Sequence, residues 1–221
     1  MNQPTISSPP SSAVDARIAF IGRTYGMLAL CVASGSAGAW LAQGLAFPLQ
    51  HPFLMLLIMI GGIFAVQAVR HTPGVNLIAL LAFGAITGLS IAPLVGMVAA
   101  RSGMLVVQAF LTAAVAFVAL SGYCFASRRD FSFMRGFVIV GLIAVLVLGI
   151  SNLFFQSPAF ALAIAGMSVV LFSAFILYDT AQVLHHYPNE EYIAAALTLY
   201  LDLFLLFENL LLLFGGLGSD D

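Results

Sequence analysis

Three carboxylates stand in an apolar stretch close to the C-terminus. Asp179, Asp202 and Glu208 lie among leucines, phenylalanines and tyrosines in "ILYDTAQVLHHYPNEEYIAAALTLYLDLFLLFENLL", residues 176–211. An ionised side chain at the centre of a bilayer costs at least about 2.5–3.5 kcal/mol, so it normally faces the interior of a helix bundle, pairs, or carries a proton. These three residues are therefore the first candidates for chemistry.

Asp179 and Asp202 are predicted to lie on neighbouring helices. The turn "HHYPNEE" contains two breakers, so the apolar segments on either side of it must be antiparallel neighbours. Asp179 precedes His185 by six residues and Asp202 follows Glu191 by eleven. At 1.5 Å per residue the two levels differ by about 7 Å, which helix stagger or one water could close.

Two carboxyl groups this close would titrate as a unit and could offer oxygen ligands to a hard cation such as Ca²⁺. Asp179 and Asp202 are accordingly the predicted proton sensor and transient metal site. The alternative is that threonine, tyrosine, asparagine or arginine side chains satisfy each carboxyl separately, and that both merely hold helices together.

Four further residues are candidates for the same pathway. Thr198 and Asn209 share a helical face with Asp202, at offsets of −4 and +7. Glu208 points about 240° away from Asp202 and is either a structural group or part of the pathway. Arg70 ends the second apolar segment and could be a counter-ion for the pair, or a snorkelling arginine that serves topology.

Composition places the chain in a membrane. Of its 221 residues 62% are hydrophobic and 7% are charged, with a mean hydropathy of +1.10, whereas soluble domains carry about 25% charged residues. The net charge of −2 does not indicate the basic surface that nucleic-acid binding requires. All seven cations are arginine, which excludes retinal-type Schiff bases and lysine-based covalent catalysis. We expect that the protein is not an enzyme and that it holds no tightly bound cofactor.

The predicted fold class is an all-α integral membrane protein with seven spanning helices. Each segment is long enough to cross a hydrocarbon core of about 30 Å, and the segments lie at about 24–46, 53–69, 75–100, 103–126, 134–155, 158–184 and 192–214. Residues 1–16 are predicted to be a disordered tail, 17–216 the transmembrane domain, and 217–221 a short acidic tail.

Arginine placement predicts the orientation of the chain. With the N-terminus inside, six arginines lie on the inner side and one on the outer, as the positive-inside rule favours. The last segment could instead be re-entrant, because of its carboxylates. The small-residue stretches "ASGSAGAW" (33–40) and "FGAITGLS" (83–90) predict close helix packing.

The sequence resembles the Bax inhibitor-1 (transmembrane Bax inhibitor motif) family, in its bacterial branch. The similarity covers roughly Arg17 to Gly216. It rests on "RTYGMLAL", "GLSIAPLV", "SGYCFASRRDFSFM", "LYDTAQVLHH" and "YIAAALTLYLDLFLLFENLLLLFG", in that order.

The resemblance implies a bundle with the C-terminal helix central and a pH-sensitive calcium leak channel in a bacterial inner membrane, with the N-terminus cytoplasmic. Asp179 and Asp202 match the family's buried diaspartyl pH sensor, with Ca²⁺ and protons as its ligands. Arg70 matches by position an arginine that latches onto the sixth-helix aspartate. Some bacterial relatives instead bind and modulate a membrane-bound AAA protease, which gives a non-conducting regulator as the alternative.

The chain departs from the family pattern at two places. Leu205 and Leu206 stand where an asparagine commonly follows "LYLD", and Ala92 precedes the proline of the third segment where the family often has glycine.

A third function, intramembrane aspartyl proteolysis, fits poorly: the tail "GLGSDD" has a serine inside the Gly-x-Gly-Asp pattern that this chemistry requires.

Overall fold

The computed structural model describes residues 11–127 and 129–217. Within these residues the chain forms α-helices without β-strands, and a short 3₁₀ turn, Ser132–Met134, precedes the sixth helix. The helices are α1 (Ser11–Leu41), α2 (Phe47–Gln50), α3 (Pro52–Val69), α4 (Val75–Arg101), α5 (Gly103–Ser127), α6 (Arg135–Phe155), α7 (Pro158–His185) and α8 (Tyr192–Leu217).

Seven of these helices are long and apolar enough to cross a membrane, and α2 is the short exception. Large apolar side chains cover their outward faces; α6, for example, exposes Val140, Ile143, Leu146, Val147, Ile150 and Leu153. An apolar surface of this extent is stable in hydrocarbon but not in water. The predicted fold class, an all-α seven-helix membrane protein, is confirmed.

The spanning helices alternate in direction and therefore define two ends of the bundle. We call the end with the α3–α4 and α7–α8 connections the Arg70 end, and the opposite end the Trp40 end. The arginines predicted for one side lie at the Arg70 end, apart from Arg128, which falls outside the described residues; Arg101 alone lies at the Trp40 end. There its guanidinium donates to the carbonyl of Gly215 near the end of α8.

The C-terminal helix is central, as predicted. α8 packs against α1, α3, α4, α5 and α7, and its fully buried side chains include Ile193, Leu197, Leu199, Leu206 and Leu211. By contrast, α6 lies at the periphery and packs against α7. α8 runs without a break from the Arg70 end to the Trp40 end, so the re-entrant alternative for the last segment is wrong.

The first helix differs most from its predicted bounds. The segment predicted at 24–46 is helical from Ser11 to Leu41, so residues 11–16 of the predicted tail belong to α1. This stretch contains alanine and no breaker after Pro10, and nothing in it stops a helix. The helix ends before Gly44, whose φ of +82° lies in the left-handed region that glycine tolerates. Residues 1–10 and 218–221, which hold the rest of both predicted tails, lie outside the described part.

The two small-residue stretches pack against each other, as their composition predicts. A Cβ atom on Gly84 would lie 2.7 Å from the carbonyl oxygen of Cys31, and one on Gly38 would lie 2.9 Å from Cα of Ala85. A Cβ on Gly88 would overlap the carbonyl oxygen of Gly35. The backbones of α1 and α4 therefore touch, and this contact sets one wall of the bundle.

Replacing Gly88 with alanine should destabilise the bundle by about 1–3 kcal/mol, because α1 and α4 must separate to admit the methyl group. Unfolding in mixed detergent–SDS micelles, followed by circular dichroism, measures this. Gly96→Ala, on the same helix but with no atom within 4 Å of the added carbon, is the matched control and should leave the unfolding free energy within about 0.5 kcal/mol of wild type. Equal effects of the two changes would refute this packing.

Candidate functional site

The structure brings Asp179 of α7 and Asp202 of α8 together. Their carboxyl groups lie beside each other, so the stagger of the two helices closes the difference in level that residue counting gave. Asp202 is 5% exposed. Two neighbouring carboxyl groups in a buried site interact strongly, so they titrate as a unit and the charge of each depends on the other.

One oxygen of Asp202 is buried and receives no hydrogen bond from the described residues. Oδ2 of this residue makes no hydrogen bond to any residue in the described ranges. A buried acceptor that stays unsatisfied costs about 1–3 kcal/mol, more if the group is charged. A proton, a water or a cation at this oxygen would remove that cost.

A tyrosine and a threonine line the Arg70 side of the pair. Oη of Tyr187, in the α7–α8 turn, lies 3.3 Å from Oγ1 of Thr198 on α8. Burial raises the pKa of Tyr187; the hydrogen bond with Thr198 offsets part of this, and the carboxylates of Asp179, Glu191 and Asp202 add smaller increases. Tyr187 therefore keeps its proton at neutral pH and remains a donor. Thr198 was predicted at this site, but Tyr187 was not.

Hydroxyl groups from three helices meet at Thr180, the residue that follows Asp179. Oγ of Ser121 on α5 lies 3.2 Å from Oγ1 of Thr180 on α7, and the Tyr25 hydroxyl of α1 approaches both. The Thr24 hydroxyl is also fully buried, and no described residue forms a hydrogen bond with it. No motif in the sequence marks these residues, because serine, threonine or other polar residues also occur elsewhere in the same helices.

Arg70 binds a different carboxylate from the one predicted. Its Nε lies 3.1 Å from Oε2 of Glu191, and Nε2 of His71 lies 3.3 Å from Oε1 of the same residue. The latch from Arg70 to Asp179 is therefore not formed in this structure. The physical reason is position: Glu191 immediately precedes α8 at the end where Arg70 lies, whereas Asp179 is deeper in the bundle.

Arg17 is the cation bound most directly to α7. Its guanidinium donates to the carbonyl oxygens of Val183 and Tyr187, both at 2.6 Å, and to Oδ1 of Asn189 at 3.0 Å. Carbonyl groups at the C-terminal end of a helix lack hydrogen-bond donors within the helix and carry partial negative charge. An arginine there supplies both the donors and a compensating positive charge. From sequence alone Arg17 contributed only to orientation, and no motif distinguishes it from the other arginines.

Glu208 and Asn209 do not join the pair. Glu208 follows Asp202 by six residues, about 9 Å along α8 towards the Trp40 end. The Asn209 amide donates to the carbonyl of Leu205 in its own helix, at 2.7 Å. Both residues are half-buried, and they lie on the far side of the pair from Tyr187.

The carboxyl pair by itself is an incomplete cation site. Across the described residues, no three His, Cys, Asp or Glu side chains cluster closely enough to hold a metal ion. Asp179 and Asp202 together offer four oxygens, whereas Ca²⁺ takes six to eight oxygen ligands. Hydroxyl groups, carbonyl groups and water would have to supply the others, which suits transient occupancy rather than tight binding.

Comparison with known proteins decides the family. The chain matches the family described as "Inhibitor of apoptosis-promoting Bax1" over residues 17–219. The chain belongs to the Bax inhibitor-1 family. The family assigned from the sequence motifs is thereby confirmed, and the matched range contains every candidate site residue.

Relatives of this Bax inhibitor-1 family member occur in bacteria, animals and viruses. An uncharacterized protein of Pseudomonas aeruginosa is 32% identical over 200 residues, covering 90% of this chain and 89% of the relative. Protein lifeguard 4 of Mus musculus is 34% identical over 208 residues, covering 91% and 86%. The Golgi anti-apoptotic protein of Vaccinia virus (strain Lister) is 32% identical over 212 residues, covering 93% and 88%.

Arg17→Gln should destabilise the bundle by about 1–3 kcal/mol, because hydrogen bonds from a charged donor to the end of α7 are lost. Arg17→Lys should recover only part of this, since lysine keeps the charge but not the planar fork of donors. Arg129→Gln, an exposed change at the same end, is the control and should have an effect within about 0.5 kcal/mol. SDS-induced unfolding measures all three, and an effect of Arg17→Gln no larger than the control would contradict the role assigned to Arg17.

Proposed function

We propose that this protein is a pH-sensitive leak channel for Ca²⁺ or a similar cation, controlled by the Asp179–Asp202 pair. The observation that carries the proposal is the contact between these two carboxyl groups, made across α7 and the central helix α8. Because the groups share protons, a change of pH alters the charge at the middle of the bundle. That charge acts both on the α7–α8 contact and on a passing cation.

Polar groups support an approach to the pair from the Arg70 end. Tyr187, Thr198 and the side chain of Glu191 lie between this end and the carboxyl groups. Beyond the pair, the buried side chains of α8 towards the Trp40 end are apolar: Phe204, Leu206, Leu210 and Leu211. We propose that this apolar section is the closed part of the path and that Glu208, half-buried at the same level, is the additional carboxylate of the open one.

We keep Arg70 as the proposed latch for Asp179, on the condition that Arg70 first leaves Glu191. Arg70 is held by Glu191, so it would pair with Asp179 only after this ion pair breaks. The Arg70–Glu191 pair is partly exposed, and such pairs contribute only about 0–1 kcal/mol. Release of Arg70 from Glu191 is therefore energetically accessible.

The proposed location is a bacterial inner membrane, with the N-terminus and the Arg70 end in the cytoplasm. The concentration of arginine at one end of the bundle supports this orientation. In this orientation the pair exchanges protons with the cytoplasm, and Ca²⁺ reaches it transiently as the permeant ion.

Uptake of ⁴⁵Ca²⁺ into proteoliposomes across pH 5–8 tests the proposal. Wild type should show a flux that changes with pH, and both Asp179→Asn and Asp202→Asn should remove most of this dependence. We expect the flux at one end of the pH range to change on the order of tenfold, the factor that corresponds to about 1.4 kcal/mol. Glu208→Gln should lower the flux and leave its pH profile in place.

Asp130→Asn is the matched control for these substitutions. Asp130 lies in the α5–α6 connection, where hydrogen bonds from the side chain and backbone of Ser132 lower its pKa. It is therefore ionised throughout pH 5–8, and its replacement removes one charge without touching the pair. An unchanged flux and profile in both pair variants would refute the proposal.

The same experiment separates the channel from the non-conducting regulator. Absence of flux in every folded sample would favour the regulator, for which co-purification with a membrane-bound AAA protease in mild detergent is the direct test. The name of the vaccinia relative describes a regulatory role, anti-apoptotic, for that protein.

A further inference from the structure

A cleft between α1 and α5 interrupts the wall of the bundle. Near the Arg70 end the two helices meet through aromatic rings, with centroids 6.4 Å apart for Tyr25 and Phe117 and 5.9 Å apart for Tyr25 and Phe125. Towards the Trp40 end they are separated by a cavity of about 680 Å³. We call this cavity the lateral cleft. It is closed at the Tyr25 end and open along its side.

The floor of the lateral cleft is the central helix. Tyr200, Phe204 and Phe207 of α8 line it, so the helix that carries Asp202 can be reached from outside the bundle at this place. The hydroxyl of Tyr200 is already bonded to Thr87, and almost all of the remaining lining is carbon. A volume of this size lies within the range of about 300–1,000 Å³ that is usual for small-molecule sites.

The shape of the lateral cleft is long and narrow. On the α1 wall, Tyr25 and Trp40 are fifteen positions apart, about 22 Å of helix. Trp40 and Gln43 line its far end, where α1 finishes at Leu41. An indole and an amide at the end of a spanning helix are typical of the level at which lipid headgroups lie.

The cleft is continuous with the lipid-facing surface. Leu111 and Val118 of its α5 wall are 55% and 69% exposed, and Trp40 is 69% exposed. All three belong to spanning helices, so the side opening faces hydrocarbon. Water has almost no polar partners in the cleft, and an empty apolar cavity forfeits the contacts that a chain of methylene groups would restore.

We propose that the lateral cleft binds one acyl chain of a membrane phospholipid, with the headgroup at the Trp40 end beside Gln43. The closed Tyr25 end sets the depth that the chain can reach. The bound chain packs directly on Phe204 and Phe207, which gives the lipid a contact with the central helix. The cleft shares Phe204 with the proposed closed section of the ion path, but binding of the acyl chain does not require ion conduction.

Tryptophan fluorescence tests the site cleanly, because Trp40 is the only tryptophan in the chain. In Trp40→Phe/Phe207→Trp the single fluorophore lies on the floor of the cleft. Vesicles of phosphatidylglycerol and phosphatidylethanolamine with brominated acyl chains supply the quencher. We expect the floor tryptophan to lose most of its emission, as a lipid-exposed tryptophan does.

Two comparisons distinguish a bound chain from general lipid contact. In Trp40→Phe/Phe172→Trp the fluorophore replaces a core residue that is 6% exposed, and we expect little quenching. Adding Ala114→Phe to the floor variant fills the cleft and should reduce quenching severalfold. Adding Ala144→Phe instead, at an exposed position on α6, should leave the quenching unchanged.

Native mass spectrometry of the chain that keeps Trp40 gives a test that needs no tryptophan on the floor. One phospholipid should remain bound after partial delipidation, should be lost in Ala114→Phe, and should be retained in Ala144→Phe. A floor tryptophan as poorly quenched as the core one would overturn the proposal. The proposal would also be overturned if Ala114→Phe altered neither the quenching nor the lipid retention. Loss of quenching on dimerisation would overturn it as well, because a second copy of the chain would then fill the cleft.

Discussion

Two buried acids, one on α7 and one on the central helix α8, share a site in the middle of this bundle. Asp179 and Asp202 approach each other from α7 and α8, with their carboxyl groups side by side. Two ionised carboxylates at that distance in a medium of low dielectric constant would repel strongly. The position of α8 relative to α7 is therefore tied to the protonation of this pair.

The rest of the structure holds the two helices so that the acids can meet. Arg17 fixes the end of α7 from α1, and Arg70 binds Glu191 at the start of α8. On the other side of α8, the touching backbones of α1 and α4 keep the wall thin and rigid. Arginine hydrogen bonds and ion pairs thus hold the helices at the Arg70 end and, from Arg101 to Gly215, at the Trp40 end, while packing of small and apolar side chains dominates in the middle. A pair held in this way can change charge without unfolding the bundle.

Much of this fold follows from the sequence for simple reasons. Runs of apolar residues with short connections fix the number and direction of the spanning helices, and the tight turn after α7 forces Asp179 and Asp202 onto neighbouring helices. Glycine and serine at helical spacing predicted the close approach of α1 and α4. These signals are local and repeat along a helix, so a single sequence is enough to detect them.

The partner of each arginine cannot be predicted from the sequence, because it depends on distances between helix ends. Arg70 prefers Glu191 to the deeper Asp179, and Arg17 reaches acceptors from 166 to 172 residues away in the chain. The lateral cleft was equally hidden: it arises from the divergence of α1 and α5, and nothing in the apolar composition of either helix marks it. α1 starts earlier than predicted because the short polar run at 11–16 contains no helix breaker.

Infrared titration of the protein in bilayers, with isotope-labelled aspartate to separate its carboxyl band from that of Glu208, measures the shared proton most directly. The account predicts that the pair loses its protons in two steps at different pH values, and that Asp179→Asn and Asp202→Asn each leave a single step. If the wild-type pair released both protons in one step at the same pH, the two carboxyl groups would be independent and the central claim would be wrong.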